Sequence, residues 1–226
     1  MLTMYKVKKF VIACLVLMLT GYGNQAMSKQ VEENKPAEVN VQLKSYTERI
    51  HSSLPEYEFK VYGQIQGQMY QAKRIDVYKK GTNEVIQRIT FDEIATPDGD
   101  YLGIFMEDTN FDGYKDLLIQ KSLPAGPNVP YSYWTWDKTT EKFIPYNQLE
   151  NIVSPEFDSQ NKVITSSVRV SANTFSHLTY RYIDGQITLV KEIEKVGDME
   201  KKVFHVTVKE LDGNIMKIVE TYDDPL

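Results

Sequence analysis

The stretch Tyr57-Glu58-Phe59-Lys60-Val61 settles the class of fold. Three large apolar side chains alternate with two charged ones. A period of two sets Tyr57, Phe59 and Val61 on one face and Glu58 and Lys60 on the other, as a half-buried β-strand requires. The alternation returns further along the chain. Leu178, Tyr180 and Tyr182 are separated by Thr179 and Arg181, and Phe204, Val206 and Val208 by His205 and Thr207. Between such runs stand turn-forming clusters: Lys80-Gly81-Thr82-Asn83, Asp137-Lys138-Thr139-Thr140, Asp184-Gly185 and Asp212-Gly213. Each reads as the tip of a hairpin.

Strand, turn, strand is the repeated unit, and no amphipathic helical segment separates the hairpins. This predicts an all-β domain of antiparallel hairpins and not alternating βαβ units. A small, irregular, five-bladed β-propeller-like domain satisfies the pattern, and so does a β-sandwich; no exact sequence repeat marks blades. Towards the N-terminus the period changes. Val39, Leu43, Tyr46, Ile50 and Leu54 recur at helical spacing, which predicts a short leading helix, although Val39, Val41 and Leu43 also alternate. Residues 24–44 are expected to form a flexible tether, polar over 24–38 and carrying Pro36, and 45–226 a single β domain.

The first 23 residues read as a signal peptide. Lys6, Lys8 and Lys9 form a positive n-region, and Phe10 to Leu19 an apolar run too short to span a bilayer as a stable helix. Cleavage after Gly23 or Ala26 fits the small-residue requirement, and a retained anchor is the alternative. The expected location is periplasmic or extracellular, at the cell envelope. Cys14 is the single cysteine and lies within the apolar run, so the mature chain has no disulfide to stiffen it. Val11-Ile12-Ala13-Cys14 matches a lipid-attachment box only superficially, because the apolar stretch continues past the cysteine. Removing the three n-region lysines from 26 basic residues, against 31 acidic ones, leaves a balance of about −8. That surface disfavours nucleic acid and anionic lipid and favours cations or basic proteins, or serves solubility alone.

One segment carries chemistry. Residues 107–119 contain a D-x-N-x-D-G-x-x-D loop between two apolar runs. Calcium takes roughly six to eight hard oxygen ligands, and side chains at alternate positions converge on one ion where the backbone turns sharply, here at Gly113. Asp108, Asn110 and Asp112 are the expected side-chain ligands, Tyr114 a backbone carbonyl ligand and Asp116 a direct or water-mediated one. Ile119 stands where a helical calcium loop has its bidentate Glu, so strands are expected to flank this loop. The other Asp-Gly pairs, at Asp98, Asp184 and Asp212, lack this oxygen spacing and read as plain turns. The competing reading of 108–116 is a solvated acidic turn.

Catalytic patterns are absent. His51, His177 and His205 are far apart in sequence and form no metal-ligand motif, and there is no G-x-S-x-G elbow or phosphate-cradling glycine loop. Glu93, Glu107 and Glu192 carry little weight as a glycosidase-type pair. The chain therefore reads as a non-enzyme. A Pro/Gly-rich segment, 121–130, leads into Tyr131-Ser132-Tyr133-Trp134-Thr135-Trp136. It is either a protein-binding loop rimmed by aromatics or a strand whose aromatics are core.

The string Asn110-Phe111-Asp112-Gly113-Tyr114-Lys115-Asp116-Leu117, with Tyr133 to Asp137 and Lys142-Phe143 after it, resembles a family of exported bacterial proteins. That family includes a calcium-binding, propeller-like periplasmic immunity protein that inhibits lysozyme-like peptidoglycan hydrolases delivered by type IV secretion. The match spans about residues 100–195. The loop is also similar to the FG-GAP and VCBS repeats of integrin-like propellers. The resemblance implies a small propeller with structural calcium and, as partner, a peptidoglycan hydrolase. The alternative is an extracellular protein- or glycan-binding module.

Overall fold

The computed structural model describes residues 40–225. The expected signal peptide, Cys14 and the polar segment 24–38 lie outside these. Four strands, β1 (Val41–Arg49), β2 (Glu56–Gln66), β3 (Met69–Lys79) and β4 (Val85–Thr96), form the first sheet. Four shorter ones, β5 (Ile104–Glu107), β6 (Asp116–Gln120), β7 (Tyr131–Asp137) and β8 (Lys142–Pro145), form the second. The third sheet runs through β9 (Pro155–Asp158), β10 (Val163–Arg169), β11 (Thr174–Ile183), β12 (Gln186–Asp198), β13 (Val203–Asp212) and β14 (Ile215–Pro225). Within each sheet every strand pairs antiparallel with the strand next to it in sequence, so each sheet is a meander.

The all-β, antiparallel expectation holds, and no helix occurs among the described residues. There are three sheets, none closed into a barrel, and β9 to β14 hydrogen-bond continuously as one six-stranded sheet. The arrangement is compatible with a sandwich. One core gathers Tyr57, Phe59, Val61, Ile75 and Val77 of the first sheet with Leu117, Ile119, Trp136 and Phe143 of the second. Another gathers Leu118 and Tyr133 of the second sheet with Leu149, Ile152 and Ile164. The second sheet is thus covered on both faces. This explains why β6 reads Leu117-Leu118-Ile119 without alternation: all five of its residues are buried, and a doubly covered strand needs a continuous apolar run. Tyr133 and Trp136 divide between the two cores, so the aromatic strand is packed interior. Tyr57, Phe59 and Val61 are each 0% exposed, and burial of such a side chain contributes about 1.5–3 kcal/mol.

The leading helix is corrected by the structure. Val41–Arg49 is a strand paired to β2, with a bulge between Gln42 and Lys44. The extra residue, Leu43, and Tyr46 both pack against the first core. A bulge shifts the pleat by one residue, so two inward side chains fall three apart and imitate a helical period. The strand also takes in Val41–Lys44, which the sequence placed in the tether.

The hairpin turns are where the sequence placed them. Ile183 pairs with Gln186 around Asp184-Gly185. Both turn residues have positive φ, 50° and 76°, the backbone of a type I′ turn that matches strand twist. At the far edge of the third sheet, His205 on β13 faces Asp223 on β14, Nδ1 to Oδ1 2.6 Å, and its Nε2 lies 3.4 Å from Asp198 Oδ2. The Asp223 hydrogen bond, then that of Asp198, raises the His205 pKa above its ordinary value. The protonated ring is therefore favoured in the folded state. Its stabilisation is fully present below the unfolded histidine's pKa and is lost as pH rises through the raised folded value. Protection of the β14 amides, taken relative to the free-peptide exchange rate at each pH, is expected to fall over that interval and to lose this pH dependence in His205→Asn. An NMR titration placing His205 at or below the ordinary histidine pKa would contradict the clamp.

Candidate metal centre

The loop between β5 and β6 carries the predicted ligands, and the strands flanking it are those expected. Backbone amides hold its acidic side chains inward. The Asp112 N–H is shared, 3.0 Å from Asp108 Oδ1 and 3.0 Å from Asn110 Oδ1, so these two oxygens lie together. Asp108 Oδ2 accepts from Gly113 N at 2.9 Å, and Asp112 Oδ1 accepts from Tyr114 N at 2.9 Å. Such a wrapping needs left-handed backbone at two points, Phe111 with φ 60° and Gly113 with φ 89°. Glycine takes that conformation without a Cβ penalty, which accounts for Gly113.

The loop is fastened to its surroundings on several sides. Lys115 N donates to Ile50 O at 2.9 Å. The Tyr114 ring stacks on His51, centroids 4.2 Å apart, and the Lys138 ammonium sits 4.4 Å from the Tyr114 centroid. Phe111 meets Tyr182 edge-on at 6.1 Å, and the Tyr182 hydroxyl donates to Thr109 O at 3.3 Å.

Asp116 has a different place from the other four predicted residues. It is fully buried, and its oxygens are engaged by three donors: Thr109 N (3.0 Å) and Thr109 Oγ1 (2.6 Å) on Oδ2, and Trp136 N (2.8 Å) on Oδ1. Burial pushes its pKa up to about 6, although all three hydrogen bonds pull the other way. Desolvation outweighs the three hydrogen bonds because the carboxylate is withdrawn from water. Asp116 thus ties the start of the loop to β7. Consistently, no three His, Cys, Asp or Glu side chains gather into a metal-holding group among the described residues. The oxygens brought together on one amide are those of Asp108 and Asn110, the second an amide oxygen, while the Asp112 carboxylate accepts from Tyr114 N.

Two contributors escaped sequence reading. Lys138, which the sequence shows only as part of a turn, places its ammonium 3.3 Å from Asp112 Oδ2. Thr109, at an unremarked position between two predicted ligands, supplies two of the three donors to Asp116. The spacing of oxygens along a loop carries no signal for either, since one arrives across the sheet and the other points away from the loop centre. The oxygen donors here are hard and suit calcium chemically; Lys138 is the cation already beside them. Of the other acidic candidates, Glu192 pairs with Lys209 at 3.0 Å, and Glu107 has its pKa raised by burial and then by Asp108.

No protein-family description and no curated protein matches this chain. Among solved structures it is similar to a Xanthomonas type IV secretion system related protein, with a TM-score of 0.56 at 14% sequence identity. The match covers 81% of this chain and 98% of that one. At this identity the likeness is one of fold.

Proposed function

We propose that this chain is an exported, calcium-stabilised, non-catalytic binding protein of the cell envelope, acting as an immunity protein that inhibits a lysozyme-like peptidoglycan hydrolase. The observation that carries the proposal is the fold shared over 98% of a type IV secretion system related protein, in a chain whose loop has the N-F-D-G-Y-K-D-L string. In this reading the stacked meanders are propeller-like blades and the loop between β5 and β6 stiffens the middle one.

Asp108, Asn110 and Asp112 would hold calcium through their side chains and Tyr114 through its carbonyl, with water completing roughly six to eight oxygens. Bound calcium supplies charge neutralisation and a rigid loop. An ion that binds only the folded form stabilises it by about 2.7 kcal/mol at a hundredfold excess over Kd. Asp116 holds the loop's frame and Lys138 yields its place beside Asp112.

The functional test is inhibition. The purified mature protein, added to a panel of lysozyme-type muramidases on a cell-wall suspension, is expected to slow at least one at stoichiometric concentration. Unchanged rates across the panel would remove the immunity reading and leave a binding module for another protein or a glycan.

A further inference from the structure

The Pro/Gly-rich segment 121–130 is a built element and not a slack loop. Its ends are closed by Lys121 N donating to Pro130 O at 2.9 Å. Asn128 acts as a strand neighbour to the end of β10, donating Nδ2 to Arg169 O at 2.9 Å and accepting Arg169 N on Oδ1 at 2.9 Å. Ser154, in left-handed backbone with φ 44°, clasps the same segment: its N–H donates to Val129 O at 2.8 Å, its hydroxyl donates to Pro127 O, and Val129 N donates to that hydroxyl at 2.9 Å.

What these bonds fix is the position of Pro127 against the outer face of the third sheet. There Pro127, Arg169, Phe175, His177, Ile193 and Lys195 line a cleft of about 190 Å³. Its floor is apolar, and Phe175 remains 38% exposed although Phe204 braces it edge-on at 6.2 Å. Its rim is cationic in a chain of net charge −5, and no carboxylate is among its lining residues. Lys195 is paired outside the cleft with Asp224, at 2.8 Å. The Arg169 guanidinium donates to the carbonyls of Ser171 (3.2 Å) and Ala172 (3.5 Å) and lies 5.9 Å from the Phe175 centroid, with no carboxylate partner among the described residues.

The geometry points to a protein-docking cleft that seats one aromatic or aliphatic side chain of a partner, flanked in the partner's sequence by carboxylates that meet Arg169. An apolar pocket held in place before binding avoids the ordering cost that weakens loop-built interfaces, and an unneutralised arginine selects the charge around the anchor. The inference rests on the binding-protein reading and is independent of the partner's being a hydrolase.

The test uses isotope-labelled mature protein and two capped tripeptides, Glu-Phe-Glu and Lys-Phe-Lys. Millimolar Glu-Phe-Glu is expected to shift the amide signals of Phe175, His177 and Ile193, with Lys-Phe-Lys about tenfold weaker. Arg169→Glu is expected to reverse that order while the protein stays folded, since the backbone bonds to Asn128 persist and only the exposed guanidinium contacts are lost. Signals that stay in place, or that respond equally to both peptides, would overturn the cleft. So would a doubled mass in solution with no peptide response, which would assign the face to a second copy of this chain. A muramidase panel without inhibition, alongside the expected peptide shifts, would remove the hydrolase and leave the cleft standing.

Discussion

Asp116→Ala is expected to lower folding stability by about 3–5 kcal/mol. The carboxylate is 0% exposed, and the substitution strands two backbone amides, Thr109 N and Trp136 N, together with the Thr109 hydroxyl. Each unsatisfied buried polar group costs about 1–3 kcal/mol. In a domain of this size that corresponds to a fall in melting temperature of roughly 10 °C. Asp116→Asn keeps one acceptor oxygen but turns an NH2 towards a donor, so it recovers only part of the loss. Chemical denaturation in the presence of chelator separates an anchor from a ligand: the anchor's loss persists without calcium, whereas a pure ligand's loss disappears. Full stability of Asp116→Ala in chelator would contradict the assignment.

The second large effect is expected at Asp76, on β3, which is 2% exposed. Arg88, opposite it on β4, grips both oxygens, Nε to Oδ1 at 2.8 Å and Nη2 to Oδ2 at 3.2 Å. Arg74 adds Nε to Oδ1 at 3.2 Å and lies over the Tyr62 ring at 4.2 Å. Asp76→Ala is expected to cost about 3 kcal/mol, the lower end for breaking a buried pair, because the Arg88 guanidinium left behind reaches water. Arg88→Met is expected to be worse than Asp76→Ala, since it leaves the buried carboxylate with Arg74 alone. Adding Asp76→Leu to Arg88→Met is expected to recover part of that loss, because the apolar pair removes the stranded carboxylate while Arg74 keeps its place over the Tyr62 ring. Urea titration of the three variants checks the order; equal losses in both single variants, with no rescue in the double, would contradict it.

The strands that sequence revealed are those with one dry face. Tyr57, Phe59 and Val61 alternate with charge because β2 has a core side and a wetter side, and Asp184-Gly185 marks its hairpin because few residue pairs tolerate two positive φ values. Misreading began where a local irregularity broke the period. The Leu43 bulge gave β1 the spacing of a helix, and nothing short of its pairing with β2 distinguishes the two. Sheet count was equally hidden, because whether consecutive meanders separate or merge depends on unbroken hydrogen bonding from β9 through to β14 and not on any turn signal.

The loop divides in the same way. Asp108 and Asn110 bend round one shared amide, that of Asp112, so the closeness of their two oxygens was legible from spacing, whereas the Asp112 carboxylate turns to Tyr114 N. Asp116 has the right residue type at the right offset, yet it begins β6, where the first buried position of a doubly covered strand turns it towards Thr109 and Trp136. Lys138 approaches from the β7–β8 turn, through a tertiary contact that only the folded sheet defines.

Central to this account is that the oxygens of Asp108, Asn110 and Asp112 take up calcium. Melting temperature measured with calcium and with chelator, in the wild-type protein and in Asp112→Ala, tests it most directly. Saturating calcium is predicted to raise the wild-type value by roughly 5–10 °C and to leave Asp112→Ala unmoved. A wild-type melting temperature that is the same in calcium and in chelator would contradict the account.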